Sequence, residues 1–159
     1  MNAELITRYW LFKGGSKTLI NMHCTDATDS LYIRPLLSMD RAWAADLVSL
    51  YFGAPCVVSK GVLHEAGLLP GLVAELEGKR VGLLQYNIQD NQCEVVILIA
   101  VRRRRGIGCR LVKSLFPVAL AADCERLWAV AAANNQTARL FFKAIGWLRF
   151  DESGVKYLW

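Results

Sequence analysis

The chain has 159 residues, of which 54% are hydrophobic, and a formal net charge of +5. That length and apolar content suit one domain with a substantial core, and no apolar run approaches the roughly 18–20 residues that a bilayer-spanning helix needs. The N-terminus MNAELITRYW has an early Glu and no apolar core segment, and the five cysteines form no C-x-x-C pair, so the expectation is a cytoplasmic protein with reduced thiols, no disulfide frame and no metal site.

Residues 1–29 read as an N-terminal extension, either a small hairpin around Gly14-Gly15 or a mobile segment. The polar stretch TDATDS, ending at Ser30, marks the start of the main domain, expected over 30–159. Leu31 to Leu37 reads as a strand, with Ser38 placed to cap a helix in which Trp43, Leu47, Leu50 and Tyr51 recur at helical spacing before Gly53 and Pro55. Cys56 to Gly71 reads as loop-rich. Gly71 to Leu76 and Val81 to Ile88 read as strands of a hairpin turning at Gly78-Lys79. Cys93 to Val101 is a strand with no polar residue after Glu94, a continuity that predicts cover on both faces. A helix follows from about Gly106 to Ala122, its apolar stripe formed by Ile107, Leu111, Leu115, Val118, Ala119 and Ala122, with Pro117 expected to bend or split it. Arg126 to Ala132 is a strand, Asn135 a cap for a helix that faces Ala138, Phe141, Phe142 and Ile145 inward, and Trp147 to Phe150 and Val155 to Trp159 closing strands. The order β-α-β-β-β-α-β-α-β-β suits an α/β sheet with helices on both faces.

The stretch Val96 to Phe116, VILIAVRRRRGIGCRLVKSLF, places Arg102 to Arg105 where a helix begins. A helix N-terminus carries about half a positive charge and N–H groups without intrahelical partners, so cations there are misplaced unless an anion completes the site. Gly106 and Gly108 lack a Cβ and would let a phosphate or pyrophosphate reach the backbone. The plain alternative is a solvated arginine loop. No P-loop pattern is present, and the dinucleotide fingerprint fails because Leu111 stands where its third glycine belongs. Cys109, at the same helix start, is a site where a thiol pKa can fall, though a small packing residue is the simpler reading.

The pattern [RQ]-x-x-G-x-[GA], carried by Arg103, Gly106 and Gly108, resembles that of the GNAT acetyltransferase superfamily. Asn135, Ala138, Phe142, Gly146 and Trp147 are similar to the family's second signature, and Val57 to Ile88 looks like one GNAT subgroup, with its V-S-x-G and L-P-G stretches. The resemblance runs from about Leu31 to the C-terminus. It implies a GNAT-type mixed, mostly antiparallel sheet and direct transfer of an acetyl group from acetyl-coenzyme A to a primary amine within a ternary complex, without a metal. It also implies that Arg103, Arg104, Arg105, Gly106, Ile107, Gly108 and Cys109 surround the pyrophosphate. Leu98, Ile99 and Ala100 would pair through their backbones with the pantetheine arm, and Asn135 and Phe142 would lie beside it.

The resemblance makes Glu94 the base that takes the amine proton through water; the alternative is a strand-end carboxylate in solvent or in an ion pair. Phe142 departs from the family, where many members have a Tyr that protonates the thiolate. Phenylalanine has no proton to give, so Phe142 keeps only a packing role, and a thiol or phenol nearby, such as Cys109 or Tyr86, is not assignable from sequence. This departure motivates a second reading, a non-catalytic acetyl-coenzyme A-binding sensor. The arginine run raises a third, an RNA-binding module, which ranks last because the interleaved aromatics of a stacking platform are missing. The implied partners are a small-molecule or peptide amine and, as an assembly, a homodimer; nucleic acid and membrane are not expected. His23 and His64 read as isolated surface or loop histidines.

Overall fold

Residues 6–10, 30–102, 105–132, 134–150 and 156–157 are described by the computed structural model. The strands are β1 (Ile6–Trp10), β2 (Leu31–Pro35), β3 (Cys56–Ser59), β4 (Val62–Glu65), β5 (Gly71–Leu76), β6 (Lys79–Gln89), β7 (Gln92–Ala100), β8 (Arg126–Ala132), β9 (Leu148–Phe150) and β10 (Lys156–Tyr157). The helices are α1 (Arg41–Phe52), α2 (Ile107–Ala121) and α3 (Gln136–Ala144). Eight strands form one sheet in the order β10-β9-β1-β8-β7-β6-β5-β2, and β3 and β4 form a separate hairpin. Among the described strands only β7 and β8 run parallel, joined through α2; the other pairings of this sheet are antiparallel. The α/β reading with a mixed, mostly antiparallel sheet therefore holds.

Three two-residue turns build the hairpins. Lys60-Gly61, Glu77-Gly78 and Asp90-Asn91 each take positive φ at both positions, the twist that a type I′ turn shares with its strands. The first of these corrects the loop-rich reading of Cys56 to Gly71, because the short segments CVVS and VLHE pair across it. The second sits one residue earlier than the expected Gly78-Lys79. Ile6–Trp10, to which the sequence assigned no element, is a strand between β8 and β9. The Gly14-Gly15 hairpin and most of the terminal strand Val155 to Trp159 lie outside the described residues.

The two faces of β7 are set by one irregularity. Tyr86 pairs with Val95 and Gln85 with Ile97, leaving Val96 as an extra residue, a β-bulge. The bulge reverses the alternation of the strand. Cys93 and Val95 lie in the core under α2, as do Leu98 and Ala100 after the bulge. Val96, Ile97 and Ile99 join the second core, beneath α1 and the residues after β4. Both faces are thus covered, which explains the unbroken apolar run.

α1 corrects two expectations. Its buried stripe is Ala44, Leu47 and Val48, whereas Leu50 and Tyr51 face solvent. Ser38 does not cap it. The backbone N–H of Leu37 donates instead to the Asp40 carboxylate, which the short 3-10 turn Ser38–Asp40 places at the helix entrance. Pro117 does not split α2, which runs unbroken through it. Pro117 and Lys113 are exposed, so the Lys113 carbonyl that loses its helical donor faces water. Within the expected stripe Ala122 is exposed, and Val112 and Phe116 are buried instead.

Asp40 has a fully buried side chain and anchors an ion network. Arg34 donates to both its oxygens at 2.6 and 3.0 Å and to Glu75 at 2.7 and 2.9 Å, and Arg80 reaches it at 2.9 Å. The Arg34 hydrogen bonds hold the Asp40 carboxyl at about 2, against an ordinary 3.8. A lowered folded-state pKa contributes stability above the unfolded value that is lost as pH falls through the folded one. Asp40→Asn is therefore expected to lower stability by about 2 kcal/mol at neutral pH, with a difference from the parent that shrinks between about pH 4 and pH 2. Urea titrations at three pH values read it directly.

Candidate functional site

β7 and β8 pair only at Gln92–Arg126, Cys93–Leu127, Glu94–Trp128 and Val95–Ala129. Beyond that point β7 continues against β6 as far as Ala100, and β8 continues against β1 as far as Ala132. The two strands therefore part, and the edges of Val96–Ala100 and Val130–Ala132 that would face each other have no strand partner among the described residues. Backbone N–H and C=O groups demand partners, so an extended ligand arm with amide groups fits this cleft. Leu98, Ile99 and Ala100 lie along it.

The chain leaves β7 and turns into α2 at Gly106, the N-cap, with φ +69°. That left-handed conformation favours glycine. No side chain caps α2 and its first turn holds no acidic residue, so the positive end of the helix is uncompensated. Arg102 and Arg105 are exposed on its approach; Arg103 and Arg104 lie outside the described residues. Gly108 has a different reason from the one the sequence suggested. A Cβ there would lie 3.1 Å from the Phe141 ring, so this glycine lets α3 pack onto α2. Ile107 is buried under the sheet and positions the turn. Cys109 is buried and disulfide-bonded, which corrects its reading as a reduced thiol. Cys56, Cys93 and Cys124 are free, and burial pushes the Cys93 thiol up to about 12.

Glu94 lies at the point where the strands part. It is 7% exposed, which sets aside the solvated strand-end alternative, and it accepts a short hydrogen bond from the Ser59 hydroxyl at the end of β3. A cavity of about 220 Å³ opens beside it, lined by Ser59, Lys60, His64, Asp90, Glu94 and Trp128 among others. His64 is buried on β4, which corrects its reading as a surface histidine; the unrecognised hairpin carries it to the cavity. Trp43, Tyr51 and Glu65, on the neighbouring α1 and β4, are not among the residues that line it. Lys60 Nζ stands 3.9 Å from the Trp128 ring centroid. The cavity thus joins a buried carboxylate to an aromatic face, a pairing suited to an ammonium group.

Asn135 caps α3 through its side-chain oxygen, which accepts from the Ala138 N–H at 3.1 Å. Phe142 is 4% exposed, edge-on to Phe141 and 4.9 Å from the Trp147 ring. Its packing role is thereby evident. Burial raises the Tyr86 phenol above its ordinary value, and Tyr86 packs on the α2-side core, away from the Ser59–Glu94 pair. Among the described residues no helix is long and apolar enough to cross a membrane.

A family model described as the Acetyltransferase (GNAT) family matches residues 38–147. The protein YdhI of Bacillus subtilis, itself uncharacterized, is 25% identical over 103 residues, 64% of this chain and 64% of the relative. A GCN5-related N-acetyltransferase from Sphaerobacter thermophilus superposes with a TM-score of 0.61 at 16% identity, covering 92% of this chain and 48% of that one. An aminoglycoside acetyltransferase from an uncultured soil sample gives 0.58 at 19% identity over 75% of this chain and 89% of that one. This chain therefore spans less than two thirds of the length of the first two.

Proposed function

The chain belongs to the GNAT acetyltransferase family, and from that premise we propose that it transfers the acetyl group of acetyl-coenzyme A directly to a primary amine held beside Glu94. The observation that carries this is the parting of β7 from β8 after the Val95–Ala129 pair, one residue beyond Glu94 and Trp128. The cleft offers backbone groups to the pantetheine amides. The uncapped start of α2, with Gly106 and the flanking arginines Arg102 to Arg105, offers N–H donors and positive charge to the pyrophosphate.

Acetyl transfer requires the amine to lose a proton and the thioester carbonyl to be stabilised as charge develops on it. Glu94 takes the proton, directly or through water, and the Ser59 hydroxyl fixes the carboxylate's orientation. The bulge at Val96 turns the backbone at the mouth of the cleft, and in this reading an N–H there donates to the carbonyl oxygen. Phe142 contributes no proton, so the thiolate leaves to solvent. The acidic, aromatic cavity suits a cationic acceptor, either a small amine or the amine of a peptide. The acetyltransferase domain, expected over 30–159, in this reading also includes Ile6–Trp10, which lies in its sheet between β8 and β9, and it works in the cytoplasm. The sensor alternative keeps the cleft and loses the turnover; thioester consumption against a panel of amines separates the two.

Coenzyme A is expected to bind and raise the melting temperature, because a ligand specific to the native state stabilises by mass action. Isothermal titration showing no binding of coenzyme A would overturn the reading. Arg105→Gln should leave the ligand-free stability nearly unchanged, since the exposed guanidinium is repelled by the helix end. It should weaken coenzyme A binding several-fold at low salt, by about 1 kcal/mol, with the difference fading as salt screens the charge. Titrations at two ionic strengths measure it.

A further inference from the structure

We infer that Lys60 is itself an acetyl acceptor, so that the protein acetylates its own Lys60 side chain at Glu94. This rests on the acetyl-coenzyme A reading above. Lys60 is the first residue of the type I′ turn between β3 and β4, with φ +50°. Its neighbour Ser59 donates to the Glu94 carboxylate. Its ammonium stands 3.9 Å from the centroid of Trp128, and Trp128 is the register partner of Glu94 on the adjacent strand. Lys60, Trp128 and Glu94 line one cavity, and Lys60 is the one amine among the described residues lining it. Lys79 and Lys113 are exposed elsewhere, on β6 and α2.

The arrangement supplies what an acceptor amine needs. The ring seats the ammonium, a contact worth about 0.5–1 kcal/mol at an exposed site. The hairpin tethers the amine beside the base, which converts a bimolecular encounter into an intramolecular one. Glu94 takes a proton from the ammonium, and the freed lone pair of Nζ attacks the thioester carbonyl carbon. The C–N bond forms, the C–S bond breaks, and coenzyme A leaves as thiolate. The second amine proton passes to solvent or to the thiolate. The products are Nζ-acetyl-Lys60 and coenzyme A, with no oxidant, reductant or further reactant. The acetamide is neutral, so the cation–π contact with Trp128 is lost on modification.

The test is a time course of the purified protein with acetyl-coenzyme A and no other amine, with peptide mass spectrometry of every lysine. Lys60 is expected to be modified at least about tenfold faster than Lys79 and Lys113, a modest fraction of what proximity can supply, and its rate per molecule should not change on dilution of the protein. Glu94→Gln should remove the advantage of Lys60. Modification of Lys60 no faster than Lys79 and Lys113, a rate that falls with protein dilution, or an advantage that survives in a folded Glu94→Gln variant would overturn the proposal. The comparison among lysines and the dilution series need no variant. Coenzyme A titration and acetylation of added amines are read on the same sample. Binding and transfer with Lys60 unmodified overturn the Lys60 assignment alone, whereas absence of coenzyme A binding overturns the transferase reading and the Lys60 assignment with it.

Discussion

Glu94→Gln is expected to bind coenzyme A as tightly as the parent and to transfer acetyl groups roughly 10²–10⁴-fold more slowly, the range a positioned general base contributes. Glutamine keeps the shape of the side chain. It also keeps an oxygen that can accept from the Ser59 hydroxyl, so the buried hydrogen bond survives and folding should be little affected. What it removes is proton acceptance. The loss should be largest below the pKa of the acceptor amine, where most of the amine is charged, and smaller above it, where the amine arrives already deprotonated. Steady-state rates of the two proteins from about pH 6 to pH 9.5, with coenzyme A affinity measured alongside, provide the comparison. A variant as fast as the parent across that range would show that the proton leaves by another group or through solvent.

Periodicity made most of the sheet and helices legible. The apolar runs of β5, β6 and β7 and the stripe of α2 all follow from burial, and Asn135 is the cap its residue type suggests. The failures have separate physical causes. Segments of four residues such as CVVS and VLHE carry too little pattern to announce a hairpin, and the twist of Lys60-Gly61 becomes apparent only as positive φ. His64 looked isolated because that hairpin was missing. Ser38 had the right chemistry for a cap, but Asp40 was already fixed at the helix entrance by Arg34, a partner on another strand. The Val96 bulge has no sequence signal, yet it decides which side chains share the face of Glu94. The glycine motif was legible as a motif, while its two glycines turned out to answer different needs. Gly106 adopts a left-handed turn, and Gly108 admits the Phe141 ring.

A third glycine, unremarked in the sequence, should matter more to the site than either. A Cβ at Gly82 on β6 would stand 2.6 Å from Ile107 Cγ2, 3.1 Å from Leu111 Cδ1 and 3.2 Å from the Ala74 Cβ. Ile107 is the first residue of α2 and follows the turn that would meet the pyrophosphate. The missing side chain at Gly82 is therefore what lets the start of α2 settle onto the sheet. Gly82→Val should cost on the order of 3 kcal/mol, at the upper end for overpacking a tight core. It should also weaken coenzyme A binding at temperatures where the protein is still folded, because α2 can relieve the clash only by lifting its N-terminus. Gly67→Ala is the control, since nothing lies within 4 Å of a Cβ there and no positive φ is required; it should change neither property. Urea denaturation and coenzyme A titration on both variants measure the two effects. A Gly82→Val protein with parental stability and affinity would show that α2 has room to move. A loss of stability with unaltered affinity would show that the sheet, rather than the helix, absorbs the added methyls.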